Sequence, residues 1–373
     1  MRTAGGPAPH CLILVMSFLF ILGSRCAGCC VQAVEVAVER VPVVALTGYL
    51  GAGKTTLLNH VLRQPGARVG VVVNDFGDIN VDAALVTGQV DEPASIAGGC
   101  VCCLVDDDTL DRALEKLTRP RLGVDVVIVE ASGVAEPGVL ASMIRFSGAE
   151  RVRLGGVVDV VDAVEYFDTV DTRNAVPARF AAASLVVINK CDRLPGAGRE
   201  RVLARIEQRV RQSNPTAHIV RTSGGQIDPV LLFDVALPED PPEQLPFAAA
   251  RRAADDHHGH QDAAAATIRS PGPVDPGLLI DLLEDPPPGA YRIKGRVAVR
   301  SSRGMRGFIV NLVGRYIHIA GVAAASGDSE LVAVGLHLDV DSARRRLEHA
   351  LEPAGVASAA GYRRLQRHRR LSY

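Results

Sequence analysis

The chain has 373 residues, of which 47% are hydrophobic, and its formal net charge at pH 7 is −1. This length is enough for two domains that each bury a core of their own. The balanced charge lacks the basic excess of proteins that bind nucleic acid or acidic lipid, so we expect neither a nucleic acid nor a membrane as a partner.

An apolar stretch lies near the start of the chain, at residues 11–23, and Cys26, Cys29 and Cys30 follow it. It is too short to span a bilayer comfortably and is similar to the apolar region of a signal peptide. Export would remove the chain from the cytosolic nucleotide and the reducing conditions that the motifs described below require. We therefore expect residues 1–40 to be an extension upstream of a true start near residues 34–41. A membrane anchor that leaves the domains in the cytosol is the alternative.

Residues 48–55 read GYLGAGKT and match the phosphate-loop pattern GxxxxGK[ST]. Residues 41–47 predict a buried parallel strand before the loop, and residues 55–62 predict a helix after it. In this setting, backbone N–H groups and the helix N-terminus can surround a polyphosphate, so a purely structural glycine turn is the weaker interpretation. The predicted nucleotide-binding residues of the loop are Gly48, Gly51, Ala52, Gly53, Lys54, Thr55 and Thr56.

Only four residues of the chain are lysine, although arginine is abundant, and two of them, Lys54 and Lys190, lie in nucleotide motifs. Because arginine supplies almost every other positive charge of the chain, we expect the few lysines to have functional roles. Lys54 is a compact ammonium that can reach the β- and γ-phosphates, where the guanidinium fork of arginine is too wide. Thr55 is expected to bind Mg²⁺ through its hydroxyl, and Thr56 to reach the α-phosphate.

Three cysteines, Cys100, Cys102 and Cys103, follow a glycine pair in the sequence GCVCC. A tight loop can direct two or three such thiols at one soft metal ion, which predicts a transition-metal site. Two alternatives stay open at this point. The cysteines could pack as small buried side chains, or form a redox dithiol, although the usual CxxC spacing is absent.

Residues 124–129 predict a strand that ends at Glu130 and continues as EASG to Gly133. An acidic residue at the tip of a strand beside a phosphate loop can hold a water molecule bound to Mg²⁺. The amide of Gly133 is free to approach the γ-phosphate. The predicted catalytic residues are Lys54, Thr55, Glu130 and Gly133.

Residues 184–188 predict a second buried strand, and Asn189, Lys190 and Asp192 follow it in the sequence NKCD. A carboxylate at Asp192 can accept hydrogen bonds from N1–H and the 2-amino group of guanine, and adenine offers neither donor. A strand at residues 217–221 leads to a loop in which Ser223 is expected to close over the base. A polar strand end without a function is the alternative for NKCD considered alone.

Together, GYLGAGKTT, VNDFGD, GCVCC, EASG and NKCD resemble, in this order, the CobW-like GTPases, which are related to nickel-insertion GTPases. The resemblance runs from about residue 41 to the C-terminus. It implies an α/β fold, that of a P-loop GTPase with a mostly parallel sheet, and GTP hydrolysis with Mg²⁺. It also implies binding of a metal, often Zn²⁺ with Co²⁺ as a further candidate, and delivery of that metal to a client metalloprotein.

The segment VNDFGD at residues 73–78 departs from the pattern NEFG that is usual in this family. Asp75 and Asp78 stand in place of glutamates. The resemblance implies that these carboxylates bind the metal or a water on magnesium, with a shorter reach than glutamate has.

Residues 238–246 are rich in proline and predict the end of the GTPase domain, which we assign to residues 41–237. The linker at residues 238–266 contains His257, His258 and His260 beside two aspartates. Imidazoles and carboxylates in a short segment can collect a metal weakly. A disordered polar linker that happens to be rich in histidine is the alternative.

From residue 267 the pattern predicts an ordered domain again. Helices are predicted at residues 277–283 and 341–351, and strands at residues 291–300, 308–313, 316–319 and 331–338. They form a small α+β domain at residues 267–355 that resembles the CobW C-terminal domain, with Lys294 in its RxKG element. We expect the arginine-rich residues 356–373 to be a solvated tail.

Two classes of function follow from these residues. The first is a cytoplasmic GTPase that binds zinc through the CxCC motif and delivers it to a client protein, which the sequence does not identify. The second is a regulatory or scaffold GTPase with a structural zinc site. Cobalt or nickel insertion in cofactor biosynthesis is a further alternative. A homodimer is one oligomeric state that is compatible with the sequence. The affinity for the metal in the presence of GTP and of GDP discriminates between these classes, since coupling between two sites is reciprocal.

Overall fold

A computed structural model describes residues 40–63, 67–73, 94–95, 108–131, 136–172, 177–232, 263–301, 304–322, 327–355 and 357–372 of the chain. The first half of these residues alternates strands and helices. Its elements are β1 Val41–Gly48, α1 Lys54–Leu62, β2 Val69–Val73, β3 Ala94–Ser95, α2 Asp108–Leu117, β4 Val126–Glu130, α3 Pro137–Arg145, β5 Val152–Asp162, α4 Tyr166–Thr169, β6 Leu185–Asn189, α5 Arg199–Ser213 and β7 His218–Arg221.

The seven strands form one parallel sheet in the order β3-β2-β4-β1-β5-β6-β7. Alternate residues of β1 point to opposite faces, as in any strand. Val44 and Leu46 pack with α1, whereas Val43 and Ala45 pack with α2 and α3. Because helices cover both faces, the central strands are continuous apolar runs rather than alternating ones.

The second half of the described residues forms a separate antiparallel sheet in the order β11-β10-β9-β12-β8. Helices pack on one face of this sheet and share a core with it. Its elements are β8 Ala264–Ser270, α6 Pro276–Glu284, β9 Arg292–Ser301, β10 Gly304–Val313, β11 Tyr316–Val322, β12 Ser329–Gly335, α7 Val340–Ala350 and α8 Ala359–Leu371. The predicted fold class, a mostly parallel α/β domain with a small α+β domain after it, is confirmed.

Two details of the C-terminal half differ from the sequence-based expectation. Strand β8 begins at Ala264, so the last alanines that we assigned to the linker belong to the sheet. The expected solvated tail is helix α8, which packs on α6. Its Leu365 is fully buried in the core, and Arg364 donates to Asp281 at 2.7 Å and to Glu284 at 2.6 Å. Burial of Leu365 and the ion pairs of Arg364 therefore hold this segment against the domain, although it is rich in arginine.

The two halves meet at the amino ends of β5 and β6. The hydroxyl of Tyr291 lies 3.2 Å from Oγ of Ser184, which directly precedes β6. Tyr291 and Val313 also belong to the same hydrophobic cluster as α1. Lys294 lies on β9, and burial, with Arg292 and with Arg153 of β5, lowers its pKa to about 8. The C-terminal half thus packs against the amino ends of the strands. The nucleotide motifs lie at the opposite, carboxyl ends.

Asp228 holds both ends of the chain segment that joins the two halves. One carboxylate oxygen accepts a hydrogen bond from the backbone N–H of Val230 at 3.0 Å, before the segment. The other accepts from the N–H of Ala263 at 3.3 Å, after it. Leu232 and Ala263 lie in the same hydrophobic cluster. The last described residue before the connecting segment and the first one after it are therefore close together.

Candidate functional site

The phosphate loop connects β1 to α1, as predicted. Gly51 and Gly53 adopt positive φ angles of 79° and 102°, a region that residues with a Cβ rarely enter. A Cβ atom at Gly53 would also collide with the side-chain amide of Asn189. The loop therefore requires glycine at this position for two independent reasons, its backbone angle and the close approach of a second loop.

Lys54 is the first residue of α1 and is only 8% exposed. Its ammonium donates hydrogen bonds to the carbonyl oxygens of Gly48 at 3.0 Å and Tyr49 at 3.3 Å. These contacts keep the charge inside the curve of the loop, where a β- or γ-phosphate would bind. The role in phosphate binding that the sequence predicts for this lysine stays a prediction.

Thr55 and Glu130 bring two hard oxygen ligands together beside the phosphate loop. The hydroxyl of Thr55 donates to Oε1 of Glu130 at 3.0 Å, and Glu130 is buried at the carboxyl end of β4. Mg²⁺ prefers such hydroxyl and carboxylate oxygens, so the donor set fits this ion. Thr56 follows with an exposed side chain.

The NKCD motif lies where β6 ends. Both polar atoms of the Asn189 side chain are used by neighbouring loops, since Nδ2 donates to the carbonyl of Ala52 at 2.9 Å and Oδ1 accepts from Gly225 N–H at 3.0 Å. Asn189 therefore joins the phosphate loop to the loop that carries Ser223. Its predicted part in nucleotide binding stays a prediction.

Lys190 adopts a left-handed backbone conformation, with φ of 60°, and its ammonium contacts Oδ2 of Asp162 at 2.6 Å. Asp162 is the last residue of β5 and is registered with Asn189 of β6. No motif singles out Asp162: β5 also contains Arg153 and Asp159, so a further charge at its end is not a distinct signal.

Asp192 and Ser223 lie next to each other, as the prediction of a base-reading pair requires. The backbone N–H of Asp192 donates to Oγ of Ser223 at 3.2 Å. Both residues line a cavity of about 470 Å³ together with Arg199 and Asp228. The carboxylate of Asp192 is exposed, so it is accessible to a ligand.

A buried aspartate and an arginine, which no sequence motif singles out, complete the surroundings of the phosphate loop. Asp159 of β5 is fully buried and forms a two-bond ion pair with Arg179, at 2.7 Å for each bond. Burial opposes the charge of Arg179, but the charge of Asp159 and the hydrogen bonds to it raise the pKa of the guanidinium above its ordinary value.

The expected metal ligands other than Thr55 lie outside the described residues, and so does Gly133. They are Asp75, Asp78, Cys100, Cys102, Cys103, His257, His258 and His260. Within the described ranges, no group of three or more histidine, cysteine or acidic side chains could hold a metal ion. No helix in the part of the chain that the structure describes is long and apolar enough to cross a membrane.

Two family models match the chain, one for each half. The model described as CobW/HypB/UreG, nucleotide-binding domain, matches residues 42–221. The model described as Cobalamin synthesis protein cobW C-terminal domain matches residues 263–351.

The chain is similar to curated proteins along most or half of its length. It is 27% identical over 356 residues to the zinc chaperone CobW of Sinorhizobium sp, covering 82% of this chain and 96% of that protein. It is 31% identical over 202 residues to the zinc chaperone YjiA of Escherichia coli strain K12, covering 52% of this chain and 61% of that protein. The crystal structure of Zn(II)-bound YjiA GTPase from E. coli is 22% identical, covers 84% of this chain and 99% of that one, and has a TM-score of 0.39.

Proposed function

Because the chain belongs to the CobW/HypB/UreG family of nucleotide-binding proteins and also carries a CobW C-terminal domain, we propose that it is a GTP-hydrolysing metallochaperone. It binds zinc, or a similar transition metal, and delivers it to a client metalloprotein. Similarity to proteins named zinc chaperones supports the metal and the delivery. We place this activity in the cytosol, where GTP is present and thiols stay reduced.

The observation that carries the hydrolytic part is the contact between Thr55 and Glu130 at 3.0 Å, beside a loop that already holds Lys54. Thr55 and Glu130 would hold Mg²⁺, which neutralises charge on the β- and γ-phosphates when bound. Lys54 and the loop amides would bind the phosphates, and the motif EASG predicts that the amide of Gly133 approaches the γ-phosphate. Such a site acts mainly by positioning and charge, and we assign no arginine of this chain to the transferred phosphate, so we expect slow hydrolysis by the protein alone.

Strand register supports a connection between the nucleotide and the metal. Val73, the last residue of β2, pairs with Glu130 on one side and with Ser95 of β3 on the other. Carboxyl ends of parallel strands lie at one edge of a sheet, so the chain toward Asp75 and Asp78 starts beside Glu130. Cys100 follows Ser95 by five residues, which is a reach of about 18 Å at most from that edge.

The chemistry of the proposed metal ligands favours zinc. Thiolates from Cys100, Cys102 and Cys103 suit zinc far better than Mg²⁺ or Ca²⁺, whereas Co²⁺ also fits and Cu(I) would compete. Three protein ligands leave one position of a tetrahedral ion open, and a client can attack there. Release of the γ-phosphate relaxes the segments at the edge of the sheet and weakens the site, so hydrolysis favours transfer.

The test is a zinc titration against a chromophoric competitor, with a non-hydrolysable GTP analogue and then with GDP. We expect tighter zinc binding with the GTP analogue, and loss of the site in the triple variant Cys100→Ser, Cys102→Ser, Cys103→Ser. In the chain produced from Met1, the matched control changes Cys26, Cys29 and Cys30 to serine and is expected to bind zinc as the parent does. If zinc affinity is the same with both nucleotides, the protein is a regulatory GTPase with a structural zinc. Tighter binding of Co²⁺ or Ni²⁺ than of zinc would favour insertion of those metals.

The histidines of the linker have a separate, supporting role in this proposal. These residues, His257, His258 and His260, bind the metal weakly and transfer it to the cysteines. Deletion of residues 255–260 is then expected to leave GTP turnover intact at saturating zinc and to lower zinc loading only when zinc is scarce. Loss of GTP turnover at every zinc concentration would assign the segment to the catalytic fold instead.

A further inference from the structure

Arg179 lies in a 3₁₀ turn, Ala178–Ala182, and reaches back toward the parallel sheet. Its Nε donates to Oδ2 of Asp159 and its Nη2 donates to Oδ1, both at 2.7 Å. The arginine side chain is 10% exposed and the aspartate side chain is not exposed at all. A planar guanidinium that forms two parallel bonds to one carboxylate has a fixed orientation.

Asp159 is itself fixed by the strand that leads into the phosphate loop. It is registered with Thr47 of β1, and Oγ1 of Thr47 donates to Oδ1 of Asp159 at 2.9 Å. The carboxylate therefore accepts three hydrogen bonds in a site without solvent. Removing Arg179 from this carboxylate would leave a buried charge with too few partners, so the ion pair opposes any large movement of the arginine.

The guanidinium of Arg179 covers the aromatic ring of Tyr49, with Cζ 4.7 Å from the ring centroid. Tyr49 is the second residue of the phosphate loop. Its carbonyl oxygen accepts hydrogen bonds from the ammonium of Lys54 at 3.3 Å and from the N–H of Ala52 at 3.1 Å. The ring is thus held on one side by a fixed cation, and the backbone of the same residue organises the turn of the loop.

We propose that Arg179 is a positioning residue for the phosphate loop. The ion pair with Asp159 fixes the guanidinium, which holds the ring of Tyr49 through a cation–π contact. The backbone of Tyr49 then keeps the loop amides and Lys54 in the orientation that a β-phosphate requires. The inference rests on the proposed nucleotide function and adds a residue that touches no phosphate. Because GTP and GDP share the β-phosphate, loss of the contact weakens both nucleotides alike and changes kcat little.

The experiment compares Tyr49→Leu, which removes the ring and leaves the buried ion pair intact, with Tyr49→Phe, which keeps the ring. Affinities for GDP and for a non-hydrolysable GTP analogue are measured by fluorescence, and kcat and KM by phosphate release. We expect Tyr49→Leu to weaken both affinities about tenfold, as a shielded cation–π contact implies, and Tyr49→Phe to match the parent. Arg179→Lys, which keeps the charge without the two-bond fork, is expected to weaken both nucleotides as well.

Phe167→Leu is the matched control, because Phe167 carries a second cation–π contact, with Cζ of Arg205 at 4.0 Å, on α4. It is expected to leave nucleotide affinity unchanged, and thermal unfolding checks that every variant folds. Parent-like affinities in Tyr49→Leu would overturn the inference. So would a loss of kcat in Arg179→Lys with unchanged GDP affinity, since that result assigns the arginine to the reaction itself. Failure of the parent chain to bind either nucleotide would reject the proposed function first.

Discussion

Asn189 donates a hydrogen bond from its side-chain amide to the carbonyl oxygen of Ala52 at 2.9 Å and so links the end of β6 to the phosphate loop. The same side chain accepts from Gly225 at 3.0 Å and links both to the loop after β7. Three loops that are far apart in sequence therefore share one buried amide. The loops that would hold the phosphates and the base cannot move independently.

The first prediction concerns this amide. Asn189→Ala leaves two buried backbone groups without their partner, and each such group costs about 1–3 kcal/mol. We expect affinity for GTP and for GDP to fall about tenfold or more, measured with fluorescent nucleotide analogues. Asn311→Ala, at a buried asparagine of the C-terminal sheet, is the control. Equal affinities in Asn189→Ala and the parent would contradict the linking role.

The second prediction concerns Lys54, whose ammonium is held by the carbonyls of Gly48 and Tyr49. Lys54→Ala removes the charge nearest to the β- and γ-phosphates, and we expect GTP turnover to be lost. Phosphate release under saturating GTP and Mg²⁺ is the measurement. Lys116→Ala, at an exposed lysine of α2, is expected to turn over at the rate of the parent. Retained turnover in Lys54→Ala would remove this lysine from the catalytic set.

The third prediction concerns base selection by Asp192, which is exposed beside Ser223. Asp192→Asn replaces an acceptor with a group that can donate, so the preference is expected to shift from guanine to xanthine nucleotides. Competition between GTP, XTP and ATP measures the shift, and Asp168→Asn at an exposed site is the control. If the parent binds ATP and GTP equally, the reading of this motif as a guanine site is wrong.

The fourth prediction concerns the pair of Thr55 and Glu130. Glu130→Gln keeps the shape and removes the charge that would favour Mg²⁺, so the Mg²⁺ concentration for half-maximal turnover is expected to rise about tenfold. Turnover measured against Mg²⁺ concentration tests this directly. Glu165→Gln, at an exposed residue before α4, should leave the midpoint in place. An unchanged midpoint in Glu130→Gln would place the ion elsewhere.

The fifth prediction is a dependence of stability on pH. His218 meets the ring of Tyr291 edge-on at 4.9 Å, and burial, with the charge of Arg211, lowers its pKa from 6.5 to about 4. Between these values the unfolded chain binds a proton that the folded chain does not, so stability falls as the pH drops from about 6.5 to about 4. The full loss from this group is about 3 kcal/mol.

Urea unfolding at pH 7 and pH 5 measures this dependence. The glutamine of the variant His218→Gln is neutral at pH 7 and at pH 5. The free energy of unfolding should therefore fall less between pH 7 and pH 5 in this variant than in the parent. His318, whose pKa is lowered to about 3 mainly by burial, acts in the same direction and remains in both proteins. Identical losses in the parent and the variant would show that His218 is protonated equally in the folded and unfolded states.

The nucleotide motifs were predictable because each depends on a short stretch of chain. Glycines at fixed spacing between an apolar strand and a helix specify the phosphate loop, and the position of Glu130 follows from the end of one strand. The ion pairs were not predictable in this way. Asp159 and Arg179, like Asp162 and Lys190, lie on different elements and meet only in the folded chain, which no local pattern encodes.

At helix α8, composition alone does not predict the structure, for a second reason. Its arginines suggest a solvated segment, but Leu365 is fully buried and Gly361 lies against Gly277 of α6. A close crossing of two helices at glycines depends on both helices, so neither segment reveals it alone. Asn189 is similar, since its two partners are backbone groups of loops that lie far away in the sequence.

Asp228 has a consequence for engineering of this protein. Since its carboxylate holds the chain both before and after residues 233–262, the length of that connection is independent of how the two halves pack. Lengthening a loop whose ends are already fixed costs little, about 0.6 kcal/mol for each doubling. We therefore expect a reporter domain inserted between these anchors to leave the packing of the two halves unchanged.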